Sequence, residues 1–123
     1  VARGNFDVEM TAHEMAAQFH LLKKYRGDLV ATATGEMLTV RTSVEGSAAY
    51  VAIEVVTGKM AGLSGSFTVV HRGVMDRSVQ ELSVTIVPDS GTDELTGIGG
   101  SMDIQIVEGQ HQYVMTYSLP DQH

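Results

Sequence analysis

The chain is predicted to be all-β, an eight-stranded antiparallel up-and-down barrel formed by one domain over residues 1–123. Three observations point there. Apolar and polar residues alternate with a period of two through most of the sequence, the pattern of a strand with one face buried. Thirteen glycines and two prolines punctuate that alternation at intervals suited to hairpin turns. Glycines at 97, 99 and 100, and the alternating small residues Ala31, Ala33 and Gly35, supply the bends and close approaches that a sheet needs to curl and close on itself. Closure also removes the exposed edges of an open sheet.

The first strand, residues 3–10, turns Phe6, Val8 and Met10 one way and Asn5, Asp7 and Glu9 the other. Further strands are expected near 18–26, 28–42, 48–59, 64–75, 79–87 and 95–107. The last carries Tyr113, Met115, Tyr117 and Leu119 on one face. Residues 11–24 resist the pattern. Thr11-Ala12-His13-Glu14 has the form of a capping box, and MAAQFHLLKK favours a helix over 12–24. A barrel needs a strand there, so the expectation is a loop or single helical turn at 11–17 that runs into a strand.

Turn chemistry sets trial registers. A two-residue turn at Gly109-Gln110 pairs Ile106 with Tyr113, Ile104 with Met115 and Met102 with Tyr117. A turn at Asp76-Arg77 sets His71 opposite Leu82, Val69 opposite Val84 and Phe67 opposite Ile86. Both put apolar residues face to face, with Phe67, Val69 and His71 on the core side.

Glu54 is the most informative single residue. It stands alone in AAYVAIEVVTG, a carboxylate inside an otherwise buried strand. A buried charge needs a partner, a proton or water. The next strand, after a turn at residues 60–63, offers His71, which shares a face with Glu54 in every register whose paired numbers sum to an odd value. An acid/base pair of Glu54 and His71 inside the barrel suits proton transfer in an isomerisation or cyclisation. The competing reading is a buried polar pair that satisfies itself and fixes register.

Tyr50, Phe67, Met102, Tyr113, Met115 and Tyr117 face inward with Met10, and line a small-molecule pocket if the lumen is not filled by them. Val51, Ile53 and Val55 form an outward apolar stripe on the Glu54 strand, the mark of a contact between copies, with a dimer favoured. The function expected is binding of a small apolar or amphipathic molecule; the alternatives are a cyclase or isomerase using Glu54 and His71, and a structural protein acting through its oligomer face.

Other classes are disfavoured. A net charge of −7 repels phosphate backbones, and no stripe of basic and aromatic residues is present, so nucleic acid is not expected as a partner. No metal site or cofactor is expected: His13-Glu14 opens like a zinc helix motif but the fifth position is Ala17. Gly62-Leu63-Ser64-Gly65-Ser66 fails the nucleophile-elbow pattern at its last position. The chain contains no cysteine, no apolar stretch of membrane-spanning length and no signal-peptide layout at its start, so a cytoplasmic protein without membrane partners is expected.

Read together, Tyr25-Arg26-Gly27-Asp28, the stretch YVAIEVVTGKMAGLSGSFTVVHRG, the stretch VPDSGTDELTGIGG and the closing YVMTYSL resemble the bacterial domain of unknown function family 3224. That family is similar to the allene oxide cyclase-like branch of the calycin-type barrels. The resemblance implies an eight-stranded barrel, often oligomeric, and brings no established catalytic role with it.

Overall fold

A computed structural model describes residues 1–12 and 17–120, with the side chains of 10–12 left aside. Eight strands follow in chain order: β1 (Ala2–Ala12), β2 (Gln18–Gly27), β3 (Leu29–Arg41), β4 (Ala48–Met60), β5 (Leu63–Asp76), β6 (Val79–Ile86), β7 (Gly99–Val107) and β8 (Gln110–Ser118). Each pairs antiparallel with the next, and β8 pairs with β1, so the sheet is a closed barrel. The predicted fold class holds.

Residues 18–27 form a strand despite their helical propensity. Pairing on both sides, with β1 and with β3, outweighs a preference of a few tenths of a kcal/mol per residue. Thr11 and Ala12 lie in β1 rather than in a connecting loop. The rest of the expected helical turn falls largely on residues 13–16, outside the described residues.

The β4–β5 turn lies within 60–63 as expected, and the other two hairpin turns differ from the trial registers in a regular way. All three use pairs with positive φ at both positions, Ala61-Gly62, Arg77-Ser78 and Glu108-Gly109, as two-residue hairpins with the right-handed twist require. His71 therefore faces Val84 rather than Leu82, and Tyr113 faces Ile104 rather than Ile106. Both shifts are of two residues, so every side chain keeps its predicted face.

One end of the barrel is packed solid. Leu29, Met60, Phe67, Val69, Ile86, Met115 and Tyr113 fill it. The 87–98 connection folds over it and buries Leu95 and Ile98. Residues 95–98, expected in a strand, belong instead to this cap and its short 3₁₀ turn, Asp93–Leu95. The cap is sewn to β5: Thr92 N donates to the Ser66 carbonyl, Ser66 N donates to Thr92 Oγ1 and Thr68 N donates to Ser90 Oγ. The SGT sequence thus supplies β5 with the partners that β6, which pairs only from Val69 onward, does not reach.

The other end is open. There β6 and β7 share only two pairs, Val84 with Met102 and Thr85 with Ser101. Beyond them the two strands separate, and Gln80, Leu82, Ile104 and Gln105 border a cavity of about 700 Å³. No helix among the described residues is long and apolar enough to cross a membrane.

Candidate functional site

The inner faces of β2, β4 and β5 bring four polar side chains together at the base of this cavity. β4 contributes Tyr50 and Glu54, two positions of one face separated by Ala52. β5 contributes His71, which pairs with Ala52 and so lies diagonal to Glu54, on the same side of the sheet as predicted. β2 contributes Lys23, between Leu21 and Tyr25 on its buried face.

Lys23 and Glu54 stand on strands that are not neighbours. They reach one another across β3 because its inner face is small there: Ala33 lies opposite Lys23, and Gly35 opposite Glu54. A Cβ at Gly35 would come within 2.8 Å of Glu54 Cγ and 2.3 Å of the Ile53 carbonyl oxygen. Tyr50 depends on a similar vacancy. Its ring lies over Gly73, where a Cβ would approach Cε1 to 2.4 Å.

The resulting chain of contacts is continuous. Lys23 Nζ is 2.8 Å from Glu54 Oε1, His71 Nδ1 is 3.7 Å from Glu54 Oε2, and His71 Nε2 is 2.7 Å from Tyr50 Oη. Lys23 Nζ also stands 5.0 Å from the centre of the Phe6 ring, a cation–π contact. Glu54 is 1% exposed, Lys23 5% and His71 8%. Neither Glu54 oxygen makes a hydrogen bond among the described residues, so charge contact holds the carboxylate. Burial alone would push its pKa up. The His71 and Lys23 contacts outweigh that and hold it below the ordinary value, so Glu54 is ionised at neutral pH. Burial, and the Glu54 charge second, push the Tyr50 hydroxyl up, so it keeps its proton.

This arrangement orients the His71 ring. A carboxylate facing Nδ1 favours the proton there, which leaves Nε2 free to accept from the Tyr50 hydroxyl. In that tautomer the Tyr50 hydroxyl donates to Nε2, and Glu54 stands where it would stabilise an imidazolium. Glu54 does not line the cavity; it stands behind Lys23 and His71, which do. The residue predicted as a catalytic acid is thus placed as a buried counter-ion, a positioning residue, and the groups that meet the lumen are Tyr50, His71 and Lys23.

The predicted pocket lining is redistributed. Of the six side chains, Tyr50 alone borders the cavity. Phe67 and Met115 are buried in the packed end. So is Tyr113, whose Oη accepts from Leu29 N at 2.9 Å and donates to the Arg26 carbonyl at 2.8 Å, tying β8 to the β2–β3 turn. Met102 is buried at the short β6–β7 seam, and Tyr117 is half-buried against the packed core. The Met10 side chain lies outside those described. The cavity is walled instead by Phe6, Val8, Leu21, Met37, Met75 and Leu82, with others at its mouth. Parity along a strand separates inside from outside; it carries no information on depth along the barrel.

Lys23 was missed, and its signal was present: Leu21, Lys23 and Tyr25 alternate on one face, but Lys24 beside it makes the pair read as a solvated cluster. Among the described residues no group of three or more His, Cys, Asp or Glu is arranged to hold a metal ion. Val51, Ile53 and Val55 point outward as predicted, with Ile53 57% exposed.

The family described as protein of unknown function (DUF3224) matches residues 2–117. The chain belongs to this family. A crystal structure of a family member from Shewanella oneidensis MR-1, itself described as of unknown function, is 40% identical and superposes with a TM-score of 0.93 over 98% of this chain and 96% of its own. A comparison with curated proteins gave no match. The DUF3224 assignment and this structural likeness account for the barrel and leave its activity to be argued from the site.

Proposed function

We propose that the chain binds a small apolar or amphipathic molecule inside the open half of the barrel. The cavity carries this reading: its volume of about 700 Å³ falls within the roughly 300–1,000 Å³ of ligand sites, and its apolar walls end on a few convergent polar groups, Lys23, His71 and Tyr50. A polar head at that base and a hydrocarbon body along the walls is the complementary ligand. Proton transfer to such a molecule, the cyclase or isomerase alternative, uses His71 and Tyr50 at the lumen with Glu54 behind them as counter-ion, and requires occupancy first. Native mass spectrometry of the gently purified protein, and crystals soaked in mixed small molecules, are expected to reveal an occupant in the cavity. Leu82→Trp, on the exposed β6 side of the wall, should exclude it without a loss of stability. Soaks that leave only ordered water inside the barrel would overturn the reading.

The outer face supports a second proposal, contact between two copies of this chain. Across β3, β4 and β5 the paired rows read Glu36–Ile53–Val70 and Leu38–Val51–Arg72, with Val40, Ala49, Val55 and Val74 continuing the apolar surface. Glu36 and Arg72 sit at opposite corners about the point midway between Val51 and Ile53. A two-fold axis through that point places Glu36 of each copy over Arg72 of the other, around an aliphatic centre. Glu36 also meets His20 within its own chain, at 2.8 Å. Light scattering is expected to give twice the chain mass of 13.2 kDa, and Ile53→Asp to return it to a single chain. A wild type that is monomeric at every concentration would sink this contact.

A further inference from the structure

The charge lining the cavity is the reverse of the chain's own. The sequence carries a net charge of −7, yet among the described residues the cavity wall includes Lys23, His71 and His111 and no Asp or Glu. Glu54 is withdrawn behind that wall. The three basic side chains are held by the fold rather than lying free on the surface: Lys23 by Glu54 and the Phe6 ring, His71 by Tyr50, and His111 by the same Phe6 ring at 5.0 Å. With Lys23 offset by Glu54 behind it, the lumen meets hydrogen-bond donors and no carboxylate. Such a base complements an acceptor-rich head group, and an anionic one once a compensating proton is present.

Resting on the binding role set out above, we propose that the ligand is an apolar carboxylic acid, its carboxylate seated against Lys23 and Tyr50 and its hydrocarbon against Met37, Met75 and Leu82, and that one proton is taken up when it binds. The proton follows from charge balance. Lys23 and Glu54 already cancel, so an added anion in this poorly hydrated base needs one more positive charge. His71 is placed to supply it, with Nδ1 towards Glu54 and Nε2 towards Tyr50. The charged and titratable groups that face it are Glu54 and Tyr50 on β4, Lys23 on β2 and, across the cavity, His111 on β8; its partner on β6 is Val84. Once His71 is doubly protonated, Nε2 donates to Tyr50 Oη, and the Tyr50 hydroxyl turns its own proton to the carboxylate. No covalent bond forms or breaks, and the proton comes from solvent.

Calorimetry with octanoate and octan-1-ol near neutral pH, in two buffers of different ionisation enthalpy, tests this with the wild-type chain. Octanoate is expected to bind at least about tenfold more tightly than the alcohol and to take up about one proton, with that uptake lost in His71→Asn and kept in His111→Asn. Equal binding of acid and alcohol without proton uptake would overturn the carboxylate while leaving the ligand site intact. If neither compound binds, and an apolar fluorescent dye also stays free, the ligand site itself is wrong and this inference falls with it.

Discussion

Glu54→Leu is expected to cost about 3–5 kcal/mol of folding free energy, because it leaves the Lys23 cation buried without its counter-charge. Against a typical total of about 5–15 kcal/mol, that loss would bring the barrel close to unfolding. The double variant Lys23→Met, Glu54→Leu removes both charges and should recover most of the loss, since two apolar groups of similar length suit the same space. Urea denaturation midpoints measure both. A single variant that costs under about 1 kcal/mol would mean that water reaches Glu54, contrary to its burial.

The same carboxylate predicts an acid limb to stability. Its pKa in the folded chain lies below the ordinary 4.5: burial raises it, but the His71 and Lys23 contacts lower it by more. The stability it contributes is therefore fully present above the ordinary value and is lost as pH falls through the lowered one. Wild-type unfolding free energy should decline progressively below about pH 4.5, and Glu54→Gln should lack that part of the decline.

The second large effect separates the two halves of the barrel. Phe67→Ala is expected to destabilise by about 3–5 kcal/mol, because its ring is 1% exposed in the packed end and its removal leaves a cavity that rigid neighbours cannot close. Met75→Ala, on the half-exposed wall of the open end, should cost far less and change ligand affinity instead. The reverse pattern, a mild Phe67→Ala with altered binding, would move the ligand site to the packed end.

These contrasts mark where strand-pattern reasoning works. The shared face of Glu54 and His71, the outward stripe of Val51, Ile53 and Val55, and the inward Tyr50 all follow from alternation alone. The faces paired across β5–β6 and β7–β8 survived a two-residue slip as well, because a slip of two leaves parity unchanged. Residues 18–27 show the limit from the other side. Their local preference is helical, and two flanking strands override it.

What the sequence by itself determined is therefore the barrel, the face on which each side chain lies and the presence of one buried acid with a histidine on its side. The tertiary structure alone decided that Lys23 meets that acid across Ala33 and Gly35, that Phe67, Tyr113 and Met115 plug one end, and that Tyr50 and His71 border the open one. The physical reason is one of range. The pleat repeats every two residues and is set locally, whereas depth along the barrel depends on the stagger accumulated around all eight strands and on the connection that folds back over one end.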